Sequence, residues 1–346
     1  MMSTKVGLVY DPIYLEHDTG GHVENSQRLT SIISYLGERG ILNELSLVKP
    51  ELCSEDDLLL CHCEDHIRRV KSTAAFGGWL DPDTITSPRS YEAATYAVGG
   101  VIGGMRSVME EELASAFALV RPPGHHATRT RAMGFCLFNN VAIAARYALN
   151  NLAVSRILIC DFDVHHGNST AEAFYSDPRV LYFSTHQYPF YPGTGSMEDI
   201  GVGEGKGATV NVPLPSGCGD EEYIRVFEEI LVPITRRFKP QLILVSAGFD
   251  PHFADPIGGM QVSVKGFSQM TSILKQLAGE FCEGRMVFSL EGGYDLGAIS
   301  HSVKAIFDVL LNREFSEEED FHPRASPGIG PQLERIKQIH HLGGSL

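Results

Sequence analysis

The chain has 346 residues, 43% apolar and 21% charged, the balance of an ordinary globular protein long enough for a large core. Its formal net charge of −15 argues against the basic face that a nucleic-acid-binding chain requires. No run approaches the roughly 18 uninterrupted apolar residues of a membrane span, so neither nucleic acid nor membrane is expected as a partner.

The first residues lack the basic region, long apolar stretch and small-residue cleavage site of a secretory signal. The seven cysteines, at 53, 61, 63, 136, 160, 218 and 282, are odd in number and scattered. Reduced thiols and a cytoplasmic address are therefore expected. Cys61 and Cys63 have no second pair at matching spacing and read as part of a helix start near Asp65.

In chain order the apolar spacing predicts a strand over 6–10, helices over 24–38 and 90–113, and a strand over 115–120. A helix over 137–149 and strands over 156–160, 180–184 and 208–212 follow. Then come a helix over 221–238, a strand over 241–245, a helix over 264–282, a strand over 286–290 and a helix over 296–311. This alternation points to an α/β fold with a mainly parallel sheet covered on both faces. No repeat or linker divides it, so one domain is expected over 1–313. An irregular tail, beginning in an acidic run and ending in a short helix from Pro331, is expected over 314–346.

Five strands run into polar or Gly-rich loops: RPPGHHA, DFDVHHGN, THQYPFYPGTG, SAGFDP and EGGYD. The carboxyl edge of an open α/β sheet is where ligands bind, so residues distant in sequence converge there. Asp161, Asp163, His165 and His166 fall within six residues directly after a strand. A carboxylate and an imidazole at i and i+2 lie on one side of an extended segment and can clasp one ion, which fits Asp163 with His165. Asp161 shares their side and sits deeper. The spacing alone does not choose zinc over iron or manganese.

Asp250, ending another strand, is the best-placed third ligand, although taken alone it reads as a turn or cap residue. Three protein ligands leave an open position for water and substrate. His125 and His126 follow a rigid Pro-Pro-Gly approach; adjacent side chains diverge, so acid–base work suits them better than joint chelation. Tyr294, after Gly292 and Gly293, is placed where a phenol can donate to a developing oxyanion, though such a sequence is usually a turn. Gly134-Phe135 and Phe190-Tyr191 can supply aromatic walls around an aliphatic chain.

Taken in one order from about residue 6 to residue 311, RPPGHHA, GFCLFNN, DFDVHHGN, SAGFD, DP-x-GG and LEGGY resemble the zinc-dependent histone deacetylase and acetylpolyamine amidohydrolase superfamily. The resemblance implies a three-layer α/β/α fold of the arginase/deacetylase type around eight mainly parallel strands. It implies one catalytic Zn2+ held by Asp163, His165 and Asp250, and a tandem pair in His125 and His126. Asp161 matches the acid that orients the first histidine; Asn168, as in the class II branch, matches the partner of the second. Tyr294 matches the catalytic tyrosine, and Gly134, Phe135 and Tyr191 match the acyl-lysine tunnel.

Ile257 falls where the polyamine-selective enzyme carries glutamate, and Asp83 falls near a rim acid that grips substrate amides. A structural K+ is implied near Asp161, Asp163, His165 and Ser184. The expected activity is hydrolysis of an N-acetylated amine, most directly an acetyl-lysine-type substrate. The rivals are an acetylpolyamine or other small N-acyl amidohydrolase and a catalytically silent acyl-lysine-binding module. A binuclear manganese ureohydrolase would need more aspartate ligands than these loops hold. A homo-oligomer is compatible with the acidic chain.

Overall fold

The computed structural model describes residues 3–316, 325 and 327–342. The chain opens with β1 (Val6–Val9), α1 (Gln27–Glu38), β2 (Ser46–Val48), α2 (Glu55–Leu59) and α3 (Glu64–Phe76). A hairpin of β3 (Gly78–Asp81) and β4 (Thr84–Thr86) leads to α4 (Ser90–Met109), β5 (Ser115–Ala118) and α5 (Asn140–Asn151). Next come β6 (Ile157–Asp161), α6 (Asn168–Phe174), β7 (Val180–Gln187), β8 (Thr209–Leu214) and α7 (Asp220–Val226). A π turn (Phe227–Leu231) joins α7 to α8 (Val232–Phe238), followed by β9 (Leu242–Ala247), α9 (Val264–Phe281), β10 (Met286–Leu290), α10 (Leu296–Leu310) and α11 (Gly330–Ile339).

Eight of these strands form one sheet in the order β2-β1-β5-β10-β9-β6-β7-β8, and every pairing is parallel. Strands β1, β5, β6, β8, β9 and β10 are buried along their whole length, which is why they read as apolar runs. Helices α1, α10, α9 and α7 pack side by side in one layer, while α4 and α5 pair and cover β1, β5, β10 and β9. From β6 the chain moves outward through β7 and β8, then returns to lay β9 on the other side of β6 and β10 beyond it. The sheet order therefore reverses between β6 and β9, and the crevice at their carboxyl ends is the topological switch point.

Several expected boundaries shift for local reasons. The helix expected from 24 begins at Gln27, whose N–H is donated to the Asn25 side chain at 2.9 Å. The helix expected from 137 begins at Asn140, capped by the Asn139 side chain accepting from Ala142 N at 2.9 Å. The helix expected to run to 113 stops at Met109, and Glu111 turns into the left-handed region at φ 61°. The helix expected over 221–238 widens into the π turn just ahead of Pro233.

The edge strand β2 and the β3–β4 hairpin were not read from the pattern: each strand has three or four residues, and Leu47 is exposed. Cys63 is the N-cap residue of α3, as the sequence reading of that segment holds. The helix expected from Pro331 is α11, whose Lys337 Nζ donates to Glu229 Oε2 at 2.6 Å. The remaining tail expected over 317–324, 326 and 343–346 lies outside the described residues. Among the described residues no helix is long and apolar enough to cross a membrane.

One buried ionic cluster ties the first layer to the sheet edge. Glu24, Arg28 and Arg121 are all fully buried. Arg121 grips both Glu24 oxygens, at 2.5 and 2.9 Å, and Arg28 Nη1 donates to Glu24 Oε1 at 3.0 Å. Burial alone would raise the Glu24 carboxyl, but Arg121 and then Arg28 overcome it and hold it well below the ordinary 4.5. Its stabilisation is thus fully present above the ordinary glutamate range and is lost as pH falls through the depressed folded value. Glu24→Gln strands two buried cations and is expected to cost about 3–5 kcal/mol at neutral pH. The urea midpoint measures this, and an unchanged midpoint contradicts it.

Candidate active site

The loops after β5, β6, β9 and β10 meet over the switch point. Asp163 and His165 follow β6, Asp250 follows β9, and one ligand atom of each lies within 4.8 Å of the others. All three are buried. His165 Nδ1 is 3.1 Å from Asp163 Oδ1 and 3.2 Å from Asp250 Oδ2, so one imidazole edge faces two carboxylates. The remaining oxygens are held by the main chain: Val164 N donates to Asp250 Oδ1 at 2.9 Å, and Gly292 N to Asp163 Oδ2 at 2.9 Å.

Asp250 Oδ2 is buried and makes no well-formed hydrogen bond, only sharing the edge of the His165 ring with Asp163 Oδ1. A carboxylate oxygen so poorly satisfied, beside a second carboxylate and an imidazole, is costly as it stands and fits a divalent cation. The two-carboxylate, one-imidazole set suits zinc and equally iron or manganese. Gly292 must be glycine here, since a Cβ would come within 2.2 Å of Asp250 Oδ2 and 2.7 Å of Asp163 Oδ2.

The histidine pair comes from the loop after β5, buried throughout residues 121–127. Glu291 Oε2, at the end of β10, accepts from Gly124 N at 2.7 Å and His125 N at 3.2 Å. The rings of His125 and His126 lie 4.0 Å apart and are committed to different partners. His125 Nδ1 faces Asp161 Oδ2 at 3.1 Å. Burial opposes a charge on His125, but Asp163 and Asp161 outweigh it and raise its pKa to about 10.

His126 Nδ1 faces Asn168 Oδ1 at 2.7 Å. An amide oxygen only accepts, so Nδ1 carries the proton and Nε2 keeps its lone pair. Burial, then the charges of His125 and His165, push His126 well below its ordinary range, which keeps it neutral. Two neighbouring imidazoles with diverging proton affinities are the arrangement acid–base chemistry requires.

Tyr294 is fixed by its backbone and its ring. Asp255 Oδ2 accepts from Tyr294 N at 2.6 Å. Arg28 donates to the carbonyl of Gly293 at 2.6 Å and to that of Glu291, and its guanidinium lies 5.0 Å from the Tyr294 ring centre. Burial, then Asp250, push the phenol well above its ordinary 10, so it remains a donor.

The expected wall residues have different neighbours. Phe135 packs edge-on to Tyr294 at 5.8 Å and to His22 at 4.6 Å. Tyr191 packs edge-on to His126 at 5.2 Å and His165 at 6.0 Å, and Phe190 stacks on His165 at 5.2 Å. Phe135 holds a left-handed φ of 68°, with its N–H donated to Thr84 Oγ1 at 3.2 Å. Strain of this kind in a non-glycine residue collects at functional sites. Gly134 also has positive φ, and a Cβ there would meet His126 Cδ2 at 2.5 Å.

Asp83 sits beside Asp81 on the β3–β4 hairpin; burial and Asp81 raise its pKa to about 6, and both acids lie close enough to act on the Tyr191 phenol. Ile257 is half-buried in the loop after β9, its N–H donated to Asp255 Oδ1 at 2.9 Å. Asp161 and Ser184 are register partners across β6 and β7.

Sequence reasoning did not assign Glu291, Arg28, Asp255 or the stacking role of Phe190. Glu291 and Asp255 stood inside quoted motifs, but nothing in the pattern says that one cradles the histidine loop and the other ties two loops together.

A histone deacetylase domain matches residues 22–310. The chain is 38% identical over 349 residues to a probable deacetylase of Archaeoglobus fulgidus, covering 96% of this chain and 97% of that one. It is 36% identical over 349 residues to histone deacetylase 10, chloroplastic, of Oryza sativa subsp. japonica, covering 94% and 79%. The crystal structure of the HDA15 HD domain superposes with a TM-score of 0.90 at 34% identity, covering 98% of this chain and 95% of that one.

Proposed function

The chain belongs to the histone deacetylase domain family, and from that premise we propose that it is a zinc-dependent amidohydrolase that removes acetyl groups from acetyl-lysine-type substrates. The observation that carries the reading is the buried Asp163–His165–Asp250 trio, its ligand atoms within 4.8 Å of one another, next to a His126 whose tautomer is fixed by Asn168. Zinc, when bound by the trio, supplies Lewis acidity to the acyl carbonyl and acidifies a water.

The protein groups do the rest. His126 Nε2 accepts the water proton and returns it to the leaving amine. Tyr294 donates from its phenol to the developing oxyanion. Asp161 orients the charged His125 ring beside the trio, and Glu291 holds the main chain at Gly124 and His125. Phe135 and Tyr191 line the slot for the aliphatic stem, and Gly134 lets His126 reach it.

In this reading Asp161, Asp163, His165 and Ser184 also hold a structural potassium. The catalytic unit is residues 1–313, followed by a tail over 314–346. The free thiols of all seven cysteines agree with a cytoplasmic setting.

Asp81 and Asp83 beside Tyr191 favour a substrate with positive charge near the acetylated amine, which both lysine-rich peptides and polyamines supply. Ile257, in place of an acid in the loop after β9, favours the peptide. Hydrolysis of acetyl-lysine peptides is expected to exceed that of acetylputrescine and acetylspermidine by roughly 10-fold or more in kcat/KM. The reverse order assigns the site to polyamines; no turnover of any amide by the zinc-loaded protein makes it a binding module.

A further inference from the structure

Tyr294 follows two consecutive glycines, Gly292 and Gly293. Gly293 has φ 109°, and a Cβ on it would come within 2.7 Å of Phe249 Cβ, so only glycine fits there. A glycine pair leaves the backbone its widest freedom and gives it no side chain with which to anchor the next residue. The direction of the Tyr294 phenol is therefore set by what grips the main chain around it.

Two buried groups of opposite charge do so. On the approach to the tyrosine, Arg28 donates to the carbonyls of Glu291 and Gly293, at 2.5 and 2.6 Å. At the tyrosine itself, Asp255 Oδ2 accepts from Tyr294 N at 2.6 Å and from Asp295 N at 3.3 Å. Asp255 is 7% exposed and belongs to a different loop, the one after β9. Its other oxygen, Oδ1, accepts within that loop, from Ile257 N at 2.9 Å and Gly258 N at 3.3 Å.

Each carboxylate oxygen thus takes the donors of one loop, and the side chain joins the two. The loop after β9 is itself pressed onto the segment that carries Asp250: a Cβ on Gly258 would come within 1.9 Å of the Asp250 carbonyl oxygen. Asp255 therefore fixes the Tyr294 main chain relative to Asp250. The phenol lies close enough to Asp250 and Asp163 for both to raise its pKa.

We propose that Asp255 is the positioning residue for the oxyanion donor, clamping the loop after β9 to the loop after β10 so that the Tyr294 phenol is held toward the metal trio. The proposal rests on the reading of Tyr294 as that donor. Asparagine tests the clamp at nearly constant volume. Its amide has one acceptor oxygen, so whichever way it turns, its NH2 group faces one of the two pairs of N–H donors. Asp255→Asn is expected to lower kcat by ~10-fold or more with KM within ~3-fold, the result of displacing a group that acts only in the transition state. In a Tyr294→Phe background the same substitution is expected to cost less than ~2-fold further, because the group it positions is gone. The charge of Asp255 also acts on Asp250, but a loss through the metal would persist in that background. Metal content is measured for every variant. Asp255→Ser, which keeps one oxygen, is assayed in both backgrounds as the alternative if Asp255→Asn does not fold.

A readout independent of turnover is the fluorine NMR signal of Tyr294 in chain labelled with fluorotyrosine, assigned by its loss in Tyr294→Phe. One sharp signal is expected for the parent chain and a split or shifted one for the Asp255 variants. An unchanged signal overturns the clamp. So does a loss of kcat as large in Tyr294→Phe as in the parent, which leaves Tyr294 standing as the donor. Turnover of Tyr294→Phe within a few-fold of the parent removes the donor reading itself, and the catalytic role of Asp255 with it.

Discussion

Asp250→Ala is expected to lose its metal and, with it, turnover by roughly 10⁴-fold or more, beyond the loss of any single oxyanion donor. Asp250 is fully buried, and its Oδ1 is occupied by the Val164 amide, so Oδ2 is the oxygen left facing His165 and Asp163. Burial and the neighbouring Asp163 push its pKa up to about 7, which is the mark of a carboxylate placed for something other than stability. Metal-free Asp250→Ala is therefore expected to be at least as resistant to urea as metal-free wild type, since a crowded buried acid has been removed. Elemental analysis, peptide turnover and urea unfolding read the three consequences separately. Full metal occupancy in the variant would remove Asp250 from the ligand set.

Tyr294→Phe is expected to lower kcat by roughly 10²–10³-fold with little change in KM, the loss that follows removal of one preorganised oxyanion donor. The substitution is clean because the phenylalanine ring keeps every contact that positions the tyrosine. Asp255 holds the backbone N–H, Arg28 holds the carbonyls on either side of Gly292 and covers the ring, and Phe135 packs edge-on to it. Metal content and the thermal midpoint should match wild type. Turnover within a few-fold of wild type would place the oxyanion elsewhere.

The sheet was legible in the sequence where its strands are buried on both faces, because such strands are short apolar runs bounded by polar loops. Seven of the eight sheet strands read this way, and the loops after them were the right ones to compare. The eighth, Ser46–Val48, is a short edge strand with Leu47 exposed, and nothing in three residues distinguishes it from a loop. Sheet order was not legible at all. That β9 lies against β6, bringing Asp250 to Asp163, is a property of the chain path and leaves no mark on either segment.

The site divides in the same way. Asp163, His165 and the histidine pair could be picked out because residue type and spacing carry their chemistry. The ligand role of Asp250 and the catalytic role of Tyr294 rested on resemblance; the structure groups Asp250 with Asp163 and His165, and sets Tyr294 two residues after Gly292, whose N–H is donated to Asp163. Arg28 lies 265 residues from Gly293, and Glu291 lies 167 from Gly124, so their partnerships are invisible to local pattern. Asn168 is intermediate. Its position opens α6, where an asparagine is unremarkable, and only the 2.7 Å contact with His126 gives it chemical meaning.

The central claim is that acetyl release depends on a cation held by Asp163, His165 and Asp250. It is tested most directly by assaying acetate release from an acetyl-lysine peptide before chelation, after chelation and after one equivalent of Zn2+ is returned. The expected result is loss of turnover with the metal and recovery at stoichiometric zinc, with the fold intact throughout by circular dichroism. Undiminished acetate release by the metal-free protein would contradict the account.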